Sequence, residues 1–370
     1  MPHTGNEIPK AQPHAKTEIL LVTKPDESMM RSMTMLRLSA FLIVFGIAVA
    51  PVQAAKKSTG FSITETDNTV VVKVDGKPFA TYVLDQANKP YLYPVYGPTG
   101  KQMTRAYPMK QVEGERHDHP HHRGINFGHE GINGVDTWSE KMTWEELSQR
   151  GERWVARSKE RLKALGKIRH RKFTQLKATR KSAVIEQLCD YVSREGKIVL
   201  TENRRLTFRV VGDTRTIDFD QDLIASEGDA HFEDKKDSGL SIRVPTSMDV
   251  TSEPGGTIIN SAGDRDKDAW SKAGKWCDYN GPVAGEHLGV AILNHPSSFR
   301  HVTRWHVRTY GLFTANPFAS QQFNKKDPDA SFTLKAGERL KLRHRFIFHR
   351  GDEKAARIAE VYEAYAQEKR

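Results

Sequence analysis

The chain has 370 residues, of which 28% are charged, 37% hydrophobic and 9% aromatic, and its 57 Lys and Arg outnumber 46 Asp and Glu for a net charge of +11. That composition excludes a collagen-like repeat, a multi-span membrane protein and a chain disordered throughout. Two cysteines, Cys189 and Cys277, exclude a disulfide framework and a Cys-rich zinc site and allow one bridge at most.

Along the chain, a polar segment (1–32) comes first, then Arg31 and Arg37, then an apolar run from Leu38 to Val52 and the cleavage pattern Val52-Gln53-Ala54. The run is too short for a bilayer span of about 20 residues. With its basic flank it predicts a signal peptide cut after Ala54. Residues 1–54 are therefore expected to be removed, leaving 55–370 as a single exported domain, periplasmic or extracellular, with no membrane span. Removing five Lys/Arg and four Asp/Glu leaves 52 basic and 42 acidic residues. That balance suits anionic surroundings, and export makes nucleic acid an unexpected partner.

From Phe61 onward, β-type runs alternate with turns. Thr69–Val74, the hairpin pair Asp75-Gly76 and Phe79–Leu84 come first. Similar runs follow at 183–192, 198–200, 206–211, 216–219, 289–293, 331–334 and 340–348. Their spacing predicts a mainly β fold, a large antiparallel sandwich. Helical periodicity is confined to 143–165, broken at Gly151, and to 353–368, where Asp352 is the expected N-cap. Between Arg157 and Lys181, eleven Lys/Arg face one acid, Glu160, which suits a solvated helix face and strand.

Four of the 15 histidines fall within six residues, in His117-Asp118-His119-Pro120-His121-His122. Imidazoles so placed ligate metal, exchange protons near neutral pH or bond sugar hydroxyls. On a strand, His119 and His121 would share a face and His122 would point away. In Trp305-His306-Val307-Arg308-Thr309-Tyr310, alternation puts His306, Arg308 and Tyr310 together, opposite Trp305 and Val307. Lys236 and Arg243 are further cations suited to an anionic or keto oxygen. No dinucleotide fingerprint, Walker loop, HExxH helix or nucleophile elbow is present.

These strings form an ordered series: His119 through His129, Asn133 through Trp138, Thr201-Glu202-Asn203-Arg204, Lys236-Asp237-Ser238-Gly239 with Arg243, Trp276 to Tyr279, His295-Pro296 and Trp305 to Gly311. The series resembles the signature of the PmoA-like family over nearly all of the mature chain. That resemblance implies a galactose-mutarotase-like supersandwich and a role in carbohydrate metabolism. Mutarotases pair a His acid with a Glu base, for which Glu202 and Glu286 are the carboxylates to consider. The family's name implies instead a copper-dependent methane oxygenase, whose membrane enzyme is built from helices this mature chain lacks.

The combined expectation is an exported supersandwich acting on a sugar, glycoside or keto-sugar. His121 or His306 would be the general acid/base, Arg123 and Arg308 fixed cations, Asp136 the orienter of a histidine, and Trp138 and Trp305 stacking platforms. His119, Asn126, Lys236, Arg243, Asp278, Tyr279, His295 and Tyr310 complete the expected binding set. No cofactor is assigned; a divalent metal, if one is bound, would take His119, His121 and His129. The rival expectations are a non-catalytic glycan-binding module and a His-ligated metal-dependent oxygenase or hydrolase.

Overall fold

Asp75 at φ 50° and Gly76 at φ 74° both adopt the left-handed conformation that a tight two-residue hairpin requires. They join Thr69–Val74 to Lys77–Val83. A computed structural model describes residues 60–370, so the signal-peptide expectation lies outside the described residues. Nine antiparallel strands form one sheet, in the order Phe61–Glu65, Thr69–Val74, Lys77–Val83, Tyr91–Val95, Ile125–His129, Ser238–Arg243, Leu312–Asn316, Thr303–Val307 and Ala273–Gly274. Eight form a second, ordered Thr257–Asn260, Trp276–Val283, Glu286–Asn294, Arg339–Arg350, Thr214–Ile224, Ile198–Val211, Ala183–Val192 and Lys167–Ala178. Apolar residues of both sheets, such as Val70, Val72 and Phe127 from one and Ile217, Phe346 and Phe348 from the other, merge into a common core. The fold is thus mainly β, an antiparallel sandwich.

The runs 198–200 and 206–211 are one strand, Ile198–Val211. The polar residues between them do not mark a turn because Glu202 and Arg204 point into the core and satisfy each other. Arg204 Nε and Nη2 donate to Glu202 at 2.6 and 2.9 Å, and Nη1 donates to Tyr82 of the other sheet at 2.9 Å. Tyr191 and Gln221 donate to the same carboxylate. Removing one partner of such a pair leaves the other charged and dry, at about 3–5 kcal/mol. Arg204→Met is therefore expected to lower urea-unfolding stability by about that amount. Adding Glu202→Leu should recover most of the loss, and equal stability of the single variant and the parent would contradict this reading.

Three helices complete the domain. Gly151, at φ 113°, separates α1 (Lys141–Ser148) from α2 (Glu152–Ala164) where the periodicity breaks. The C-terminal helix α3 is shorter than expected, Ile358–Ala366. Asp352 caps a separate turn by accepting from the Ala355 N–H at 2.8 Å, and Arg357, left-handed at φ 54°, divides that turn from the helix. Ile358, Tyr362 and Tyr365 pack on Trp276, Leu293 and Ile347 of the second sheet. The basic run occupies α2 and the edge strand Lys167–Ala178, where charge discourages edge pairing. Cys189 and Cys277 are both buried and free.

Candidate functional site

Asp118 anchors the histidine-rich segment. Its Oδ1 accepts from Arg105 at 2.5 Å and from Arg243 at 2.7 Å. Burial would raise this carboxyl, but His119 and the two guanidiniums outweigh burial and hold it well below the usual carboxylate range. His119 then turns left-handed at φ 46°, and the His122 N–H closes the turn on the His119 carbonyl at 3.0 Å. The segment is a turn and not a strand, so His122 does not point away. The His119 ring lies parallel to His122 with centroids 4.9 Å apart, and parallel to Tyr310 at 5.2 Å, while His121 meets His122 edge-on at 4.3 Å. Arg243 Nη1 lies 3.1 Å from His122 Nδ1. A guanidinium only donates, so that nitrogen accepts and neutral His122 carries its proton on Nε2.

The strand Thr303–Val307 supplies a second wall. Trp305 and Val307 are fully buried in the core, whereas His306, Arg308 and Tyr310 line a cavity of about 490 Å3. His306 Nδ1 donates to the Lys236 carbonyl at 2.6 Å. Burial, with the Lys236 and Arg308 charges, pulls this imidazole down to about 4 against the opposing pull of Asp237. The ring is therefore neutral at pH 7, with Nε2 as its acceptor. Glu130 lies on the same cavity, where burial first and the Asp237 charge second push its carboxyl up to about 7, opposed by its ion pair with Arg161. Asp237 itself pairs with Lys236 at 2.7 Å. The helical hairpin forms the third wall with Trp144, Glu146, Arg150, Trp154 and Arg157, and its Thr143 hydroxyl is 2.9 Å from His121 Nδ1. The indole N–H groups of Trp138 and Trp144, both on this cavity, have no partner among the described residues.

Of the expected residues, the structure brings His119, His121, Trp138, Lys236, His306, Arg308 and Tyr310 together around the cavity. Arg243 and Tyr279 stand behind it. Arg243 fixes Asp118 and His122, and the Tyr279 hydroxyl accepts from the Val250 N–H and contacts the Arg308 and Thr309 carbonyls. Other residues serve the frame. Arg123 is a bidentate partner of Glu140, and Asn126 donates to the Arg123 carbonyl. Asp136 accepts from the backbone of Trp138 and Ser139 and from Arg161, so it orients a loop and not a histidine. Asp278 pairs with His349, and His295 bonds Ser297 and the Glu368 carbonyl on the second sheet. Trp305 is core and cannot be a platform. Glu202 is bound in the core network, and Glu286 lies near Arg350 at 3.8 Å.

The three-histidine metal set does not assemble. The His129 ring packs edge-on against Phe232 and Phe318, and its Nδ1 accepts from the Gly131 N–H at 2.9 Å. Among the described residues, no three His, Cys, Asp or Glu side chains converge as metal ligands. Of the residues that sequence reasoning passed over, Asp118, His122 and Asp237 lie within the strings quoted above, Glu130 falls between two of them directly after His129, and Trp144 and Trp154 lie in the helical stretch 143–165. A second groove, of about 570 Å3, lies on the outside of the eight-stranded sheet. Its Asp218, Asp220 and Asp222 are neutralised by Arg345, Arg370 and Arg343, and no aromatic ring or imidazole lines it.

Residues 69–363 match the sequence profile described as Family of unknown function (DUF6807). No curated protein matches the chain. Among solved structures it is similar to a protein assigned as an aldose 1-epimerase from Klebsiella pneumoniae, at 10% identity and TM-score 0.41, covering 85% of this chain and 90% of that one. It is also similar to the stachyose-bound α-galactosidase AgaA of Geobacillus stearothermophilus, at 10% identity and TM-score 0.38, covering 79% and 41%. A third likeness is to a galactose mutarotase related enzyme from Lactobacillus acidophilus, at 10% identity and TM-score 0.31, covering 79% and 98%.

Proposed function

We propose that this chain, which belongs to the DUF6807 family, binds a carbohydrate-derived small molecule in the histidine-lined cavity and transfers protons on it. One observation carries the reading: a carboxyl raised to about 7 and a neutral imidazole held near 4 face the same cavity. Two groups pushed apart in this way divide into an acid and a base at neutral pH. Protonated Glu130 donates to a ring or carbonyl oxygen of the sugar. His306 Nε2 accepts from a hydroxyl or an acidic C–H, its ring fixed by the Lys236 carbonyl. Trp138 and Trp144 on the lining suit the apolar face of a sugar ring, and the volume falls within the roughly 300–1,000 Å3 of small-molecule sites.

Epimerisation or isomerisation is the reaction class that uses such a pair. The test is NMR in D2O with aldoses, uronates and keto-sugars, following anomeric interconversion and loss of carbon-bound protons. Catalysed exchange in at least one sugar is expected. Binding without exchange would favour the non-catalytic glycan-binding module. The PmoA-like resemblance supports the sugar assignment through the architecture it implies; the oxygenase chemistry in that family's name has no ligand set among the described residues.

The proposal includes export, supported by the basic flank, the apolar run and the small-residue site before Ala55. N-terminal sequencing of the periplasmic or extracellular protein should begin at Ala55. A chain recovered there with residues 38–52 intact contradicts cleavage.

A further inference from the structure

The Arg308 guanidinium is clamped between rings, with its charge centre 5.5 Å from the centroids of both Trp270 and Tyr310. Among the described residues it forms no ion pair, and its side chain makes no hydrogen bond within the protein. Its neighbours on the cavity are different. Lys236 is neutralised by Asp237, Asp118 is saturated by Arg105 and Arg243, and Glu130 is held by Arg161. What remains without an ion-pair partner among the described residues is three cations, Arg308 and the hairpin's Arg150 and Arg157, against one carboxylate, Glu146, which accepts from the Tyr107 hydroxyl at 3.0 Å, so the lining is cationic on balance. A half-buried guanidinium that is held flat, with its N–H donors unused, is the group that recognises a carboxylate bidentately. Arg308 lies two residues beyond His306 on the same face, so a carboxylate bound there places the attached sugar ring beside the imidazole.

We propose that the cavity is specific for sugars bearing a carboxylate, uronates or aldonates, and that Arg308 is the residue that holds the carboxylate. This rests on the reading of the cavity as a sugar site and narrows its substrate class. The depressed affinity of His121 and His122 for protons, caused first by burial and then by Lys89, Arg105, Arg243 and the neighbouring imidazoles, agrees with a positive field in this corner.

The test is calorimetric titration at low salt with matched pairs, glucuronate against glucose and galacturonate against galactose. The acid should bind roughly ten- to hundred-fold more tightly than its neutral partner, the range a charge-assisted bond supplies. Added salt should shrink the ratio. Arg308→Gln should bring the ratio near one, and Arg308→Lys should retain part of it, each variant being checked for an unchanged melting temperature. Equal or tighter binding of the neutral sugars, or a ratio that survives Arg308→Gln, overturns the carboxylate assignment and leaves the sugar site standing. Binding of neither class overturns both.

Discussion

Lowering the pH from 7 to 5 should cost this domain most of its stability. His121, His122, His129, His306 and His344 are buried, and burial holds each well below the ordinary imidazole value, His129 and His344 at about 3 and His306 at about 4. In the unfolded chain each takes a proton near pH 6.5. Below that pH the unfolded state therefore binds more protons, so the stability present above about 6.5 is lost as pH falls. Glu130 and Asp220 act in the opposite sense, binding protons in the folded state at about 7 and about 6. His349, whose burial is outweighed by Asp278 so that its imidazole is raised, opposes only above about pH 6.5 and is protonated in both states below it. Five groups less two leave a net uptake of about three protons, a slope of about 4 kcal/mol per pH unit. Against a total of about 5–15 kcal/mol, acid unfolding should set in near pH 5. Urea titrations at pH 7.5, 6 and 5 measure the slope. Among the described residues neither ring nitrogen of His344 has a partner, so His344→Leu should reduce the slope by about 1.4 kcal/mol per pH unit. Stability that stays flat to pH 5 would mean that these imidazoles are protonated in the folded state.

Glu130→Gln should lower turnover by about 10²–10⁴-fold, the usual contribution of one positioned acid or base. Glutamine keeps the shape and an oxygen for Arg161 but has no proton to transfer. Because Glu130 acts as the acid, parent activity should fall as pH rises through about 7. His306, held down to about 4, stays the neutral base throughout the folded range, so activity should hold level from pH 7 down to the onset of acid unfolding near 5. The glutamine variant should lose the alkaline limb as well as the rate. A variant that slows turnover but keeps the limb near 7 would assign that limb to another group and reduce Glu130 to a structural role.

Much of this site is written in local pattern. Strand alternation alone separates His306, Arg308 and Tyr310 from Trp305 and Val307, and the structure keeps that division. Trp305 fails as a platform because its place on the strand, and not its indole, decides that it is core. The left-handed Asp75-Gly76 hairpin and the break at Gly151 are equally local, since backbone conformation there depends on the residues themselves. Glu202 and Arg204 defeat pattern reading because two charges that neutralise each other in a core have the same sequence signature as a solvated strand segment. Glu130 is harder still. Its chemistry arises from burial and from Asp237, more than a hundred residues away, and nothing near position 130 encodes either. Trp144 and Trp154 share a periodicity with any helix that covers a core, whereas here that face closes a cavity.

The most direct test is a crystal structure of the protein with glucuronate bound. The sugar should lie in the cavity against the aromatic wall formed by Trp138 and Trp144. Its carboxylate should meet Arg308, with oxygens about 3 Å from His306 Nε2 and from the Glu130 carboxyl, the reach that proton transfer requires. A sugar seated instead in the groove of Asp218, Asp220 and Asp222, with the histidine-lined cavity empty at saturating ligand, would contradict the account.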